Sequence, residues 1–189
     1  DLVSFTGSAD TARTISSHDV VLRHAIRVNA ETDSLNSALL GPDAAPGSEA
    51  FALMVKEVVR EMTVKAGQKC TAIRRVLVPQ AHAAAATEAI ATALAAVKVG
   101  NPRNESVRMG SLASRAQLAA VRDSLAALTS EASIAWAGKS ADLVDADPAI
   151  GAFVMPHLLK VDDGDASPRV HEVEAFGPVA TVVAYRDLD

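Results

Sequence analysis

Cys70 is the only cysteine in the 189 residues, and its position suggests chemistry. Gly67 ends the apolar periodicity that precedes it, and the run IRRVLVP that follows is typical of a strand. The thiol therefore lies in a tight turn, where a rigid scaffold can aim one side chain. Two interpretations stay open. Cys70 is a small buried apolar residue, or it is a nucleophile whose thiolate is favoured by Lys65 and Lys69.

Two further segments could supply carboxylates. Glu31 follows an apolar strand and would project into a cleft, or it is a solvated loop glutamate. In HEVEAFGPVATVV, Glu172 and Glu174 precede Phe176 and a strand. The alternative for this segment is a plain turn before a strand, with Phe176 anchored in the core.

The segment FTGS could bind a phosphate. Gly7 and Ser8 lie between a strand and a helix, where backbone N–H groups and a helix N-terminus favour anions. An N-cap serine after a turn glycine explains the pattern equally well. We predict no metal site, because the five histidines are scattered without ligand spacing: His18, His24, His82, His157 and His171.

The composition excludes several classes of protein. An apolar fraction of 49% indicates a globular chain, and a net charge of −5 gives no reason to expect nucleic acid or an anionic membrane as partner. No apolar run approaches the roughly 18 residues of a membrane span. The single cysteine excludes an internal disulfide, and no signal peptide is visible, so we expect a cytoplasmic protein.

The patterns around these residues predict an α/β fold with a largely parallel sheet, because strand-like and helix-like segments alternate. Helices are predicted over 9–18, from Ser48, over the alanine-rich 81–97, and after the capping-box pair Ser114 and Gln117. Strands are predicted in this order: LVSF, one or two within VVLRHAIRVNAE, IRRVLVP, SIAWAG, FVMPHLLKV and PVATVVAY.

The order of the four chemical segments resembles the aldehyde dehydrogenase superfamily, and the resemblance runs along the whole chain. VSFTGS, a glutamate at a strand end, AGQKC and EAFGPV follow one another as in that family. EVVREMTVKAGQKCTAIRR and HEVEAFGPVATVV are similar to a subgroup, the CoA-linked semialdehyde dehydrogenases of aerobic aromatic degradation. That subgroup includes the dehydrogenase part of the phenylacetate ring-opening enzyme and the related enzyme of benzoyl-CoA epoxidation.

The resemblance implies a catalytic pair. Cys70 matches the nucleophile and Glu31 matches the base that activates the hydrolytic water. The superfamily commonly has Leu-Gly-Gly-Lys after the base, whereas this chain has TDSLN at 32–36. The implied reaction oxidises a CoA-linked semialdehyde to the acid through a cysteine thiohemiacetal and a thioester.

The resemblance also implies NAD(P) as the cofactor. Glu174 matches the carboxylate that holds the nicotinamide ribose, Phe176 the aromatic residue beside it, and Gly7 and Ser8 the turn near the pyrophosphate. It further implies a homo-oligomer and a three-layer catalytic domain.

We expect the chain to be a piece of a longer protein. Residues 1–30 would be the end of a Rossmann-like cofactor domain, and 31–189 a catalytic domain incomplete at its C-terminal end. Two other functions stay open. One is a CoA-acylating dehydrogenase, against which Glu31 counts, and the other is a non-catalytic fragment or assembly module in which Cys70 is only packed.

Overall fold

The structure is a computed structural model that describes residues 1–187. The chain folds as two compact units, Asp1–Ser34 and the part from Leu35 onward. The first unit contains β1 (Leu2–Gly7), α1 (Ala9–Ser16), α2 (Asp19–Arg23) and β2 (Arg27–Thr32). Its two strands are parallel, with Thr6 beside Glu31 and Gly7 beside Thr32.

The prediction of one or two strands within residues 20–31 is partly wrong, because the first half is helix α2. His18 caps this helix by accepting a hydrogen bond from the Val20 amide at 3.3 Å, and Asp19 lies in its first turn. Ala25 then adopts a left-handed conformation with φ of 50°, which ends the helix and turns the chain into β2. The two valines follow this local capping rather than their strand propensity.

The second unit is a five-stranded α/β sheet. Its elements are β3 (Asn36–Leu39), α3 (Glu49–Thr63), β4 (Ile73–Pro79), α4 (Ala83–Ala95), α5 (Arg115–Leu128), β5 (Ser133–Ala137), β6 (His157–Val161), α6 (Arg169–Glu172) and β7 (Val179–Tyr185), with 3₁₀ turns at Val64–Gly67, Gln80–His82 and Ser140–Asp142. The strand order is β3-β4-β7-β6-β5, and every neighbouring pair is parallel except β5 and β6. The predicted α/β class with a largely parallel sheet is confirmed.

Both faces of this sheet are buried, which makes the unit three-layered. Leu158 of β6 and Val182 of β7 pack with helices α3 and α4 on one face. Their neighbours Leu159 and Val183 pack with α5 on the other. Successive side chains of a strand point to opposite faces, so the continuous apolar runs of β6 and β7 supply both cores.

Two strand predictions need correction. β3 is missing from the prediction because NSAL is a short edge strand without an apolar run. β6 begins at His157 rather than at Phe153. The preceding Pro156 has no amide hydrogen to donate to a ladder.

The alanine-rich helix α4 packs against the core, as predicted, and substitution of its Leu94 tests this packing. Leu94 is 1% exposed on α4, whereas Leu53 on α3 is 56% exposed. We expect Leu94→Ala to lower the free energy of unfolding by about 2–5 kcal/mol through lost burial and a residual cavity. The matched control Leu53→Ala should change it by about 0.5 kcal/mol or less. Urea denaturation of both variants measures the difference, and equal effects would show that α4 is not part of the core.

Candidate active site

Cys70 lies in the loop between α3 and β4, as predicted, and its side chain is exposed. The loop begins with three consecutive left-handed residues, Lys65, Ala66 and Gly67, at φ of 54°, 53° and 70°. Such conformations are unfavourable for residues with a Cβ and persist only where the surroundings enforce them. The exposed thiol does not fit the interpretation of Cys70 as a buried core residue.

Side-chain hydrogen bonds to two other parts of the second unit hold this loop, which we call the cysteine loop (residues 64–72). Asn36 at the start of β3 donates to the Cys70 carbonyl at 2.6 Å and to the Ala72 carbonyl at 3.3 Å. Gln68 accepts a hydrogen bond from the Ala113 amide at 2.8 Å. The loop is thereby tied to the sheet and to the segment before α5, which positions Cys70.

The ammonium group of Lys69 is engaged by a carboxylate. Its Nζ lies 2.7 Å from Glu61 Oε2, and both side chains are largely buried. The sequence predicts that Lys69 favours a Cys70 thiolate, but in the structure its charge is compensated by Glu61. Lys65, the other expected cation, is exposed and left-handed.

A buried arginine joins the cysteine loop to the EAFGP segment. Arg74, only 5% exposed, donates through Nη1 to the Gly177 carbonyl at 2.7 Å and through Nη2 to the Gly67 carbonyl at 2.9 Å. The Lys69 carbonyl lies 3.5 Å from the same Nη2. One guanidinium therefore binds two segments that are distant in sequence.

The same guanidinium contacts both residues assigned to the nicotinamide end of a cofactor. Its Nη2 lies 3.6 Å from Glu174 Oε1, and its central carbon lies 5.5 Å from the centre of the Phe176 ring. Burial lowers the pKa of Arg74, and the charge and hydrogen bonding of Glu174 oppose this shift. The cysteine loop, Glu174 and Phe176 thus form one cluster around Arg74.

Gly67 and Gly177 meet at the base of this cluster, and a methyl group would not fit there. A Cβ on Gly67 would lie 2.3 Å from the Gly177 carbonyl oxygen, whereas one on Gly47 would meet nothing within 4 Å. Both glycines have positive φ, 70° and 93°. Alanine substitution at the two positions therefore distinguishes the effect of a steric clash, expected only at Gly67, from the effect of left-handed backbone strain, expected at both.

We expect Gly67→Ala to destabilise the fold by about 3 kcal/mol or more, because backbone must move in addition to the strain. Gly47→Ala should cost only about 1–2 kcal/mol, the left-handed penalty by itself. Thermal or urea unfolding of the two variants measures this. If both lose the same stability, the close approach of the cysteine loop to Gly177 does not exist in solution.

In the first unit, Ser8 is the N-cap of α1, which was the alternative interpretation of FTGS. Its Oγ accepts a hydrogen bond from the Thr11 amide at 3.3 Å. The next amide, of Ala9, donates to Asp33 Oδ1 at 3.1 Å. Capping does not prevent other amides at this helix start from binding a phosphate, but the Asp33 carboxylate already occupies one of them.

The six residues singled out from the sequence fall into two groups. Cys70, Glu174 and Phe176 belong to the second unit, where Arg74 links the cysteine loop to the other two. Gly7, Ser8 and Glu31 belong to the first unit: Gly7 ends β1, Ser8 follows it, and Glu31 is the last residue but one of the adjacent parallel strand β2, with an exposed side chain. The pairing of Glu31 with Cys70 stays a prediction.

Sequence reasoning missed Arg74 and Asn36. A signal for Arg74 was present, since the two-residue period of IRRVLVP places it on the same strand face as Val76 and Val78, both fully buried. A charged residue on a buried face requires partners, which marks it for attention. Asn36 carried no comparable signal.

Within residues 1–187, no helix has the length and apolarity needed to cross a membrane. No group of three or more His, Cys, Asp or Glu side chains in that part is arranged to hold a metal ion.

The fold and the cluster define a class: α/β proteins with one exposed thiol on a loop that a buried arginine links to a half-buried glutamate. The chain belongs to the aldehyde dehydrogenase family, whose model matches residues 1–189. This confirms the family that the sequence motifs resemble.

Two curated relatives match nearly the whole of this chain. The chain is 55% identical over 188 residues to 3,4-dehydroadipyl-CoA semialdehyde dehydrogenase of Aromatoleum evansii, covering 99% of this chain and 36% of that protein. It is 30% identical to hydroxyisobutyraldehyde dehydrogenase of Mycolicibacterium austroafricanum, covering 99% and 35%. The chain thus spans about a third of the length of these relatives. The first match agrees with the predicted resemblance to CoA-linked semialdehyde dehydrogenases.

A solved structure shows the same fold. Betaine aldehyde dehydrogenase of Staphylococcus aureus, determined in complex with NAD⁺, superimposes with a TM-score of 0.83 at 27% identity, covering 99% of this chain and 35% of that one. Aldehyde dehydrogenase C of Pseudomonas syringae, crystallised as a mutant with NAD⁺ and octanal, gives a TM-score of 0.82 at 24% identity. At this identity the likeness is one of fold alone.

Proposed function

We propose that this chain is the catalytic segment of an NAD(P)-dependent aldehyde dehydrogenase that oxidises a CoA-linked semialdehyde to the carboxylic acid. The observation that carries the proposal is the Arg74 cluster, which holds the loop of the exposed Cys70 against Glu174 and Phe176. The 55% identity to a CoA semialdehyde dehydrogenase supports the substrate class.

The residues present fit the nicotinamide end of NAD(P). Glu174 offers a carboxylate that accepts hydrogen bonds from ribose hydroxyls, and its side chain keeps 13% exposure. Phe176 offers a partly buried ring beside it. When bound, NAD(P)⁺ supplies the hydride acceptor. We propose that Gly7 and Ser8 approach the pyrophosphate and that residues 1–30 are the end of the cofactor domain.

In the proposed reaction Cys70 acts first. Its thiolate attacks the aldehyde carbon, a C–S bond forms, and the carbonyl oxygen becomes an oxyanion. Backbone amides of the cysteine loop can stabilise this charge as it develops. Loss of hydride from that carbon leaves a thioester on Cys70, so the aldehyde has been oxidised by two electrons.

Glu31 acts in the second half. Its carboxylate takes a proton from water, the resulting hydroxide attacks the thioester carbon, and the C–S bond breaks. The acid leaves, Glu31 releases its proton to solvent, and Cys70 is freed as a thiolate, ready for a further cycle. A carboxylate base is needed only because water is a poor nucleophile, which separates this route from transfer of the acyl group to CoA.

The wider setting is part of the same proposal. We propose a role in the catabolism of aromatic compounds, with phenylacetate degradation as the candidate pathway, because the segments EVVREMTVKAGQKCTAIRR and HEVEAFGPVATVV resemble the CoA-linked semialdehyde dehydrogenases of aerobic aromatic degradation. We further propose a cytoplasmic homo-oligomer.

The direct test is an assay of the intact protein with a CoA-linked semialdehyde and NAD⁺ or NADP⁺. Formation of NAD(P)H, release of the acid and incorporation of heavy oxygen from labelled water are expected. The matching aldehyde without CoA is the control for substrate class. Acyl transfer to added free CoA would favour the CoA-acylating alternative, and the absence of NAD(P)H formation with every aldehyde would refute the proposal.

A further inference from the structure

Arg74 is a buried charged residue in the sheet of the second unit, and its contacts are unusual for a core residue. It shares a face of β4 with Val76 and Val78, yet its guanidinium reaches Gly67, 7 positions away, and Gly177, 103 positions away. Both contacts are to backbone carbonyls. Gly67 and Gly177 lie outside the strands, so strand pairing does not determine the positions of their carbonyl groups.

Stability alone is a weak reason for placing an arginine there. Removing a guanidinium from water costs several kcal/mol, and well-packed apolar residues often replace buried ion pairs without loss of stability. What an apolar residue cannot supply is a planar fork of donors with fixed geometry. The fork here spans the cysteine loop and the EAFGP segment, and the same group lies beside the Glu174 carboxylate and the Phe176 ring.

We infer that Arg74 is a positioning residue, which sets the cysteine loop and the Glu174 carboxylate in one fixed relation to each other. This inference rests on the proposed function for the roles of Cys70 and Glu174. Arg74 acts through these residues, because its Nη1 and Nη2 donate to the carbonyls of Gly177 and Gly67 and its side chain is 4% exposed.

The inference predicts that a positive charge at position 74 is not sufficient to position the cysteine loop and the Glu174 carboxylate. A lysine keeps the positive charge but has no fork, so it cannot bind both carbonyls and orient the carboxylate together. Misplacement of reacting groups by about 1 Å can cost about a hundredfold in rate. The Glu174 carboxylate would be misoriented, so binding of the nicotinamide end should weaken together with the chemical step.

A double-mutant cycle in the intact protein tests this. Arg74→Lys, Glu174→Gln and the double variant are compared with the control Arg60→Lys, an exposed arginine paired with Glu57 on the surface of α3. The readouts are KM for NAD(P)⁺, the rate of the NAD(P)H burst and the thermal melting curve. We expect each single variant to raise the KM at least tenfold, and the double variant to be no worse than the poorer single one. The control should behave as wild type.

Each outcome decides between explanations. If wild type forms no NAD(P)H, the proposed function is wrong and this inference falls with it. If wild type is active but Arg74→Lys is unchanged, or its effect simply multiplies with that of Glu174→Gln, only the positioning role is wrong. Arg74→Gln, which removes the positive charge, is a second variant to be measured beside Arg74→Lys. If neither replacement folds, Arg74 serves stability alone and the inference is overturned.

Discussion

Cys70→Ala should abolish NAD(P)H formation by the intact protein, a loss of roughly 10⁴-fold or more, whereas Glu31→Gln should leave one burst of NAD(P)H equal to the enzyme present. Without the thiol no thiohemiacetal forms, and an aldehyde itself has no oxyanion to expel hydride. Without the base the thioester forms normally and then stalls. Stopped-flow absorbance of NAD(P)H measures both variants.

Two observations complete this experiment. Glu88→Gln, which neutralises an exposed glutamate on α4, is the matched control and should keep the steady-state rate. Mass spectrometry of the stalled Glu31→Gln protein should find the acyl group on Cys70. Loss of the burst in Glu31→Gln to the same extent as in Cys70→Ala would contradict the proposed division of labour.

The 189-residue chain by itself should oxidise no aldehyde, although its Cys70 should react with iodoacetamide. The thiol is exposed on a loop held by contacts within the second unit, so alkylation needs no other part of the enzyme. Hydride transfer needs the nicotinamide held against the thiohemiacetal carbon, and such positioning is worth roughly 7–11 kcal/mol of barrier. Glu174 and Phe176 would contact only one end of the cofactor.

The measurement compares alkylation and turnover in the same sample. Cys70→Ser is the control for alkylation, because it removes the only cysteine and should abolish labelling. NAD(P)-dependent oxidation of a semialdehyde by the chain alone would show that residues 1–189 are catalytically sufficient. A thiol that resists alkylation in the folded chain would contradict its exposure.

The sequence predicted long elements well where one physical pattern dominated. The helical face of Val58 and Met62, the Ser114 cap and the apolar runs of β6 and β7 all specify their structures locally. It failed at residues 19–23, where a single histidine cap outweighed two valines, and at the short edge strand β3. Those outcomes depend on single contacts rather than on periodicity.

The candidate site shows the same limit. The order of the motifs predicted that the cysteine loop and the EAFGP segment contribute to one active site. The two-residue alternation along β4 could also have shown that Arg74 is buried. Neither could show that Arg74 bridges these two segments, because that contact joins residues 103 positions apart and depends on β4 and β7 being neighbours. Strand order in a parallel sheet is not written in any local pattern.

The central place of β7 in the sheet has a consequence for biosynthesis. β7 is made after the other four described strands of this sheet, yet it lies between β4 and β6. The pairs β3–β4 and β5–β6 can form from nearby segments before β7 exists, and the edges of β4 and β6 that later bind β7 then stay unpaired. Roughly 100 residues separate β4 from β7, which is about 5–20 s of translation. During that interval the edge of β4 is open to intermolecular strand pairing, and the edge of β6 joins it only after residue 161 has been made. Slowed synthesis or a shortage of chaperones should therefore reduce the yield of folded protein before any effect on its chemistry is seen.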